Sequence, residues 1–370
     1  MGENIYKPVY SKDTKLVVSD LKVYFPIRRS FIDVLRGKPR LYVKAVDGVS
    51  FDVKEGEVFA LAGESGCGKT TTGKSILRLN EITEGSIGYL PSKKIENVVK
   101  LPMVKKLSEH GHIDLYSIPD KYFKPFRQDI QMIWQDPFGS LNPRRTIFEI
   151  LEEPLDIHGI SSTKEERTEI IAKALEEVKL TPPEEFMWRY PHMLSGGQRQ
   201  RVVISRALIL KPSLVIADEP VSMLDVSIRA EILQLMMDLK KRLGLTYIFI
   251  THDLALARYI SNRIAVMYLG KIVEMGDARK VVEDPYHPYT KALVEAIPEP
   301  DPQRRFIIKE LPIKGEVPSP INVPSGCRFH PRCIALDKHP ELAELCKTKE
   351  PPLIEVAPGR YVACWLYAKK

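Results

Sequence analysis

Short apolar runs alternate with stretches of helical periodicity through most of the chain. Residues 15–25 and 41–54 show the alternation and the Val, Leu and aromatic content that are typical of strands. The apolar runs at 58–62 and 214–217 predict strands buried on both faces, and 246–251 predicts a third core strand. Because helical patterns separate these runs, the chain is predicted to have an α/β fold with a mostly parallel sheet.

The remaining pattern completes this outline. Residues 144–210 carry helical periodicity, 228–244 form an amphipathic helical pattern, and 264–276 predict a pair of strands joined by a tight turn. The basic stretch 28–40 is interpreted as a loop insertion, and the irregular stretch 91–125 as a variable surface excursion.

The pattern changes near residue 298, where prolines become frequent. Proline fixes φ and removes a backbone donor, so this region is predicted to be extended and linker-like. We therefore expect a large domain over residues 1–297 and a Pro-rich linker with a Cys-rich C-terminal domain over 298–370.

Composition adds few constraints. The chain has 370 residues and a net charge of +7, which permits an anionic partner such as a nucleotide or a membrane surface without requiring one. No apolar run is long enough to span a bilayer, and the first residues lack the apolar core of a secretory signal. We expect a location on the cytoplasmic side, with any membrane role supplied by a partner.

The sequence GESGCGKT lies between a predicted strand and a predicted helix, and it matches G-x-x-x-x-G-K-[ST]. Its glycines allow successive backbone N–H groups to point into one concavity that binds oxyanions. Lys69 can reach the β- and γ-phosphates, and the Thr70 hydroxyl can ligate Mg²⁺. The predicted ATP-binding residues here are Gly63, Glu64, Ser65, Gly66, Cys67, Gly68, Lys69, Thr70 and Thr71.

Two carboxylates end the predicted strand at 214–217. Ligands bind beyond the carboxyl ends of strands in open α/β sheets. Asp218 can hold Mg²⁺ there, and Glu219 can polarise an attacking water in line with the γ-phosphate.

A second anion-binding device follows Leu194. The residues Ser195, Gly196, Gly197 and Gln198 precede a helical pattern, so they are expected at a helix N-terminus.

A chain with two phosphate cradles and one acidic strand end resembles the nucleotide-binding subunit of an ABC transporter. The resemblance implies a RecA-like sheet core, an antiparallel β subdomain and a helical subdomain at about residues 140–205. It also implies that 195–198 of one subunit close over ATP held by the phosphate loop of another.

The same resemblance assigns further roles. It implies that Gln135 touches Mg²⁺ or the attacking water, and that His252 contacts the γ-phosphate. Phe25 is the expected aromatic partner of adenine, with Tyr24 and Tyr42 as alternatives. A GTPase is not expected, because no Asn-Lys-x-Asp segment is present.

The segments QDPFGSLNPRRT, YPHMLSGGQRQRVVISRALILKP and GCRFHPRC narrow the resemblance to importers of the oligopeptide/dipeptide type. This implies a second ATPase subunit that is a paralogue, two membrane permeases and an extracytoplasmic solute-binding protein. Oligosaccharides or nickel are alternative substrates. The rival functions are a non-transport ABC ATPase and a nucleic-acid-binding protein; the tail shows no recognition helix or aromatic stacking motif, so no nucleic-acid partner is expected.

Four of the five cysteines lie in the tail, and their thiolates could hold Zn²⁺ or an iron–sulfur cluster. The resemblance implies a [4Fe–4S] cluster, interpreted as structural because a small Pro-rich segment buries little core. Arg328, His330 and Arg332 could offset its negative charge. The expected ligands are Cys327, Cys333, Cys346 and Cys364.

Overall fold

The computed structural model describes residues 5–29, 35–37, 39–95, 104–297 and 312–368. The first part of the predicted Pro-rich linker, and portions of the predicted 28–40 insertion and 91–125 excursion, lie outside the described residues.

Two sheets form the framework. Their strands are β1 (Thr14–Pro26), β2 (Tyr42–Lys54), β3 (Val58–Ala62), β4 (Glu84–Tyr89), β5 (Ile113–Asp114), β6 (Ile130–Ile133), β7 (Leu214–Asp218), β8 (Thr246–Thr251), β9 (Arg263–Tyr268), β10 (Lys271–Asp277), β11 (Ile354–Ala357) and β12 (Arg360–Val362).

Helices cover the larger sheet and form a separate layer beside it. They are α1 (Lys69–Ile76), α2 (Lys124–Asp129), α3 (Ile147–His158), α4 (Lys164–Glu177), α5 (Pro183–Met187), α6 (Gly196–Leu208), α7 (Val226–Leu243), α8 (Leu254–Ile260), α9 (Ala278–Glu283), α10 (Pro288–Glu295), α11 (Ala335–Lys338) and α12 (Ala343–Thr348). None of the helices in the described ranges is long and apolar enough to cross a bilayer.

The larger sheet has the order β11-β12-β10-β9-β3-β8-β7-β6, and β6, β7, β8, β3 and β9 run parallel. The register places the ends of its central strands side by side: Ala62 pairs with Thr251, and Asp218 with Ile250. Ile133 in turn pairs with Ala217. Every residue that follows one of these strands therefore emerges at the same edge.

The smaller sheet is antiparallel, with the order β2-β1-β4-β5. The Phe51 ring of β2 stacks on the Phe59 ring of β3, with centroids 5.0 Å apart and planes 7° apart, which joins the two sheets through a shared core. The predicted mostly parallel core and antiparallel subdomain are both confirmed.

Helices α3, α4, α5 and α6 bear out the helical periodicity predicted for residues 144–210. Thr146 begins α3 with a capping box, because its hydroxyl accepts from the Glu149 amide while the Glu149 carboxylate accepts from the Thr146 amide. The buried faces of these helices pack together with α7 in one apolar cluster.

The tail continues the larger sheet. β12 pairs antiparallel with β10, where Glu274 lies opposite Val362, and β11 pairs with β12. The N-terminal segment covers the same edge, since the Tyr6 amide donates to the Leu353 carbonyl at 2.8 Å. The sequence did not predict β11 and β12, because both are short and lie far along the chain from β10.

A buried ion pair fastens β12 to β10. Arg360 Nη2 lies 3.0 Å from Glu274 Oε1, and the two side chains are 6% and 1% exposed. The backbone amides of Tyr286 and His287 also donate to the Glu274 carboxylate. Removing the arginine would leave this carboxylate buried without its countercharge.

We therefore expect Arg360→Met to lower the free energy of unfolding by about 3 kcal/mol. The measurement is chemical denaturation of the full chain. Arg258→Met is the matched control, because Arg258 pairs with Glu283 on the exposed surface, where a pair contributes about 1 kcal/mol or less. Equal losses in the two variants would contradict the anchoring role of the buried pair.

Candidate nucleotide-binding site

The loop at residues 63–68 turns sharply between β3 and α1. A Cβ at Gly63 would lie 2.2 Å from the Met267 carbonyl oxygen, and one at Gly68 would lie 2.3 Å from the Ala45 carbonyl oxygen. Both glycines also have positive φ, 146° and 107°. No other residue fits at either position, so the motif's glycines are required by close backbone approach as well as by conformation.

The ammonium group of Lys69 lies inside this loop. Its Nζ donates to the Gly63 and Glu64 carbonyl oxygens, at 2.7 and 2.9 Å. Cys67 is buried beside it, and burial raises the pKa of that thiol. A buried thiol with a raised pKa is a packing group rather than a nucleophile.

Two of the residues expected to hold Mg²⁺, Thr70 and Asp218, meet at the carboxyl end of β7. Thr70 Oγ1 donates to Asp218 Oδ1 at 2.9 Å. Burial raises the pKa of Asp218, while the hydrogen bond from Thr70 opposes that rise. A hydroxyl and a carboxylate at the N-terminus of α1 form an oxygen donor set of the kind that Mg²⁺ prefers.

Two side chains, each from just beyond a strand end, converge on the Glu219 carboxylate beyond a third strand end. Gln135 Nε2 donates to Glu219 Oε2 at 2.9 Å, and His252 Nδ1 lies 3.1 Å from Glu219 Oε1. Glu219 itself adopts a positive φ of 45°, an uncommon conformation for a non-glycine residue and one that concentrates at functional sites. Gln135, Glu219 and His252 were each proposed from the sequence, and the fold brings them together.

A cavity of about 590 Å³ joins the phosphate loop to this cluster, a volume in the range of small-molecule sites. Ala45 and Leu293 also line it, and no sequence motif marks either of them. The lining residues are Ala45, Glu64, Ser65, Gly66, Gly68, Lys69, Thr70, Thr71, Gln135, Glu219, His252 and Leu293.

The second predicted anion-binding device lies elsewhere. Ser195 caps α6, with its hydroxyl accepting from the Gln198 amide and the Gln198 side chain accepting from the Ser195 amide. Ser195 is exposed, and none of residues 195–198 lines the cavity at the phosphate loop. This helix N-terminus therefore faces outward and is open to a second molecule.

The structure does not identify which aromatic side chain stacks on adenine. Phe25 and Tyr42 are 40% and 41% exposed, and neither lines the cavity. The Tyr24 hydroxyl donates to Asp47, and Lys44 Nζ lies 5.7 Å from the Tyr24 ring centroid. The assignment of Phe25 stays a prediction.

The four tail cysteines line one small apolar cavity, although up to 37 positions separate them in sequence. Burial raises the pKa of the Cys327 thiol to about 12 and that of Cys346 to about 11. Burial also raises the pKa of the Cys333 and Cys364 thiols. All four are free thiols.

Backbone amides point at three of these sulfurs. The amides of Phe329 and His330 hydrogen-bond to Cys327, those of Ala335 and Leu336 to Cys333, and that of Leu366 to Cys364. These bonds oppose the rise in thiol pKa. Within the part of the chain that the structure describes, no three Cys, His, Asp or Glu side chains converge closely enough to hold a single metal ion.

The basic residues between Cys327 and Cys333 face the rest of the molecule. Arg328 pairs with Asp47, and Arg332 Nη1 lies 3.0 Å from Glu64 Oε2. The sequence suggested that these arginines offset charge at the cysteines. Their carboxylate partners could not be found from sequence, because 281 and 268 positions separate the members of the two pairs.

Two family models match the chain. The model described as ABC transporter matches residues 46–222, and the model described as oligopeptide/dipeptide transporter, C-terminal region, matches residues 273–338. The first covers the phosphate loop, Gln135, residues 195–198 and Glu219, and the second covers His287 to Cys333.

Curated relatives match over nearly the whole chain. A putative oligopeptide transport ATP-binding protein of Bacillus subtilis, YkfD, is 44% identical over 352 residues, covering 95% of each chain. The oligopeptide transport ATP-binding protein AppF of the same organism is 44% identical and covers 97% of this chain and 99% of its own. The dipeptide transport ATP-binding protein DppF of Haemophilus influenzae is 42% identical over 345 residues, covering 93% of this chain and 94% of its own.

Solved structures share the fold. The ATP-binding cassette MJ0796, in a dimer described as a post-hydrolysis state bound to ADP and Pi, superposes with a TM-score of 0.56 at 27% identity. The match covers 71% of this chain and 99% of that one, so the cassette accounts for most but not all of the present structure.

Proposed function

This chain belongs to the ABC transporter family, among the ATP-binding proteins of oligopeptide and dipeptide transport, and we propose that it hydrolyses ATP to power the import of short peptides. The observation that carries the proposal is the convergence of Gln135, Glu219 and His252 beside the phosphate loop, in a chain 44% identical to peptide transport ATP-binding proteins over nearly its full length.

ATP binds with its phosphates on the loop at residues 63–70. The backbone N–H groups of the loop and of the first turn of α1 receive the phosphate oxygens. Lys69 exchanges its carbonyl partners for the β- and γ-phosphates, and Thr71 adds a hydroxyl beside them. Phe25 supplies the aromatic surface for adenine.

Thr70, Asp218 and Gln135 would hold Mg²⁺, because all three line one cavity of about 520 Å³, and Thr70 and Gln135 also line the cavity at the phosphate loop. When bound, Mg²⁺ would supply positive charge that offsets the negative charge developing during phosphoryl transfer. The chain's own contribution is to fix these oxygens by the hydrogen bond between Thr70 and Asp218.

Glu219 is the general base. It accepts a proton from the water that attacks the γ-phosphorus in line with the leaving oxygen. Gln135 orients that carboxylate through one oxygen, and His252 contacts the γ-phosphate from the other side. These positions require only small side-chain movements, since all three groups already meet.

The site is completed by a second subunit. Residues 195–198 lie at an exposed helix N-terminus away from the chain's own phosphate loop. They therefore close over ATP held by the opposing ATPase subunit, which we propose is a paralogue. Closing and reopening of the two ATPase subunits drive two membrane permeases. A solute-binding protein delivers the peptide to the permeases from outside. The chain accordingly works at the cytoplasmic face of the membrane as a peripheral subunit.

Peptide uptake by cells tests this function. Cells that lack the chain should lose uptake of labelled di- and oligopeptides, and the wild-type chain should restore it. Glu219→Gln should fail to restore it, because the amide cannot accept the proton, and ATP turnover should fall roughly 100-fold or more. The ATP-bound, closed dimer should accumulate in that variant.

The matched control is Glu283→Gln, which makes the same chemical change at an exposed pair with Arg258 on the surface. It should restore uptake fully. Substantial ATP hydrolysis by Glu219→Gln would reject Glu219 as the base. Peptide uptake that does not depend on the chain, together with loss of nickel or oligosaccharide uptake, would reject peptides as the substrate.

We further propose that the four tail cysteines hold a [4Fe–4S] cluster. Their shared apolar cavity and the amides directed at Cys327 and Cys333 support this. A bound cluster would be structural, because its ligands would come from the segment before α11, from α12 and from the segment after β12.

Cys333→Ser should remove most of the iron and acid-labile sulfide from the purified chain, because one thiolate ligand is lost. The measurement is iron and sulfide content per chain together with the visible absorbance. Cys67→Ser, which changes the cysteine outside the tail, should keep both. Full iron content in Cys333→Ser, or zinc in place of iron in the wild-type chain, would overturn the cluster assignment.

A further inference from the structure

The segment between Cys327 and Cys333 reaches the phosphate loop directly. Arg332 Nη1 lies 3.0 Å from Glu64 Oε2, and Glu64 is the second residue of the loop and lines the proposed nucleotide cavity. The arginine side chain is 8% exposed and that of Glu64 is 28% exposed. The contact is therefore shielded from solvent mainly on the arginine side.

The arginine is held in place by its surroundings. Arg332 Nε donates to the Lys314 carbonyl at 3.3 Å, and its guanidinium lies over the ring of Tyr268, 5.9 Å from the centroid. Phe329, from the same segment, packs against Tyr268 and Tyr289 with centroids 5.3 and 5.5 Å apart. These contacts hold the guanidinium beside the Glu64 carboxylate.

Glu64 is fixed through three of its groups. Its amide donates to the Tyr289 hydroxyl at 2.9 Å, and its carbonyl accepts from Lys69 Nζ at 2.9 Å. Its carboxylate receives Arg332. The residue that carries an anionic side chain into the phosphate loop is therefore paired with a cation from the tail.

The pairing affects ATP binding because Glu64 carries a negative charge. A carboxylate in a concavity that binds polyphosphate repels the ligand, and the repulsion grows as water is excluded. An arginine held against that carboxylate removes most of the opposing field. The sequence motif leaves this position open to any residue, so the cost of a glutamate must be offset elsewhere in the structure.

We propose that Arg332 is a positioning residue for ATP: it neutralises the Glu64 carboxylate in the phosphate loop, so that the Cys-rich tail contributes to nucleotide affinity. The inference rests on the proposed nucleotide site at residues 63–70. It is independent of which metal group the cysteines hold and of which solute is imported.

The test is a set of titrations of the full-length chain with MgATP. In Arg332→Gln, the Glu64 carboxylate is left uncompensated, and ATP should bind about five-fold more weakly. In the double variant Arg332→Gln/Glu64→Gln, both charges are gone, and the dissociation constant should return to within about two-fold of wild type. Glu64→Gln alone should bind ATP at least as tightly as the wild-type chain, because Arg332 then faces the phosphates unpaired.

Lys314→Gln is the matched control for loss of a tail cation. Lys314 pairs with Asp337 at an exposed position, and its backbone carbonyl, which the substitution leaves in place, is the group that Arg332 contacts. Its affinity for ATP should stay within about two-fold of wild type. Iron content and thermal melting, measured on every variant, confirm that the tail is intact.

Two results would overturn the inference. Wild-type affinity in Arg332→Gln would show that the ion pair does not influence the nucleotide. Equal weakening in Arg332→Gln and in the double variant would show that the arginine supports the fold without acting through Glu64.

If Arg332→Gln does not fold, Glu64→Gln alone decides the question, and weaker ATP binding by Glu64→Gln than by wild type would overturn the inference. A wild-type chain that binds no MgATP would reject the proposed nucleotide site itself, an outcome distinct from these.

Discussion

The structure depends on the register of its parallel strands. β6, β7, β8 and β3 are paired so that Ile133, Ala217, Asp218, Thr251 and Ala62 end at one edge of the sheet. The register is fixed because the strands are apolar on both faces. Helices bury one face, and the smaller sheet with α1 and α2 buries the other. One edge therefore receives the phosphate loop, the two carboxylates, the histidine and the glutamine from four separate parts of the chain.

This constraint explains which features could be predicted from sequence. β3, β7 and β8 are short apolar runs directly followed by their functional residues, so both the strand and the chemistry are local signals. The hairpin of β9 and β10 is equally local, because Leu269 and Gly270 turn between two alternating segments. Glycine positions 63 and 68 follow from the motif, although the carbonyl oxygens that exclude a Cβ there come from Ala45 and Met267 and are visible only in the fold.

Long-range contacts set the limit of that prediction. β12 has only three residues and joins β10 through Arg360 and Glu274, which are 86 positions apart. No local sequence pattern predicts the pairing of Arg332 with Glu64 either. An arginine close to cysteines in sequence could equally be exposed to solvent or pair with a metal group. Ala45 in β2 and Leu293 in α10 line the cavity because of how these two elements pack. Neither alanine nor leucine is a residue type that indicates function from sequence alone.

In the described residues, the tail and the ATP-binding domain share one sheet and are in direct contact. β11 and β12 extend the same sheet that carries the site, and the segment around Cys327 and Cys333 contacts its phosphate loop. The exposed N-terminus of α6 lies outside the cavity at the phosphate loop. We propose that ATP is held between the phosphate loop of one subunit and the Leu-Ser-Gly-Gly-Gln segment of another.

The decisive measurement is a cryo-electron microscopy structure of the assembled transporter with a non-hydrolysable ATP analogue. We expect the γ-phosphate to lie between Lys69 and the facing segment of the opposing ATPase. A nucleotide enclosed by this chain alone would contradict the two-subunit site.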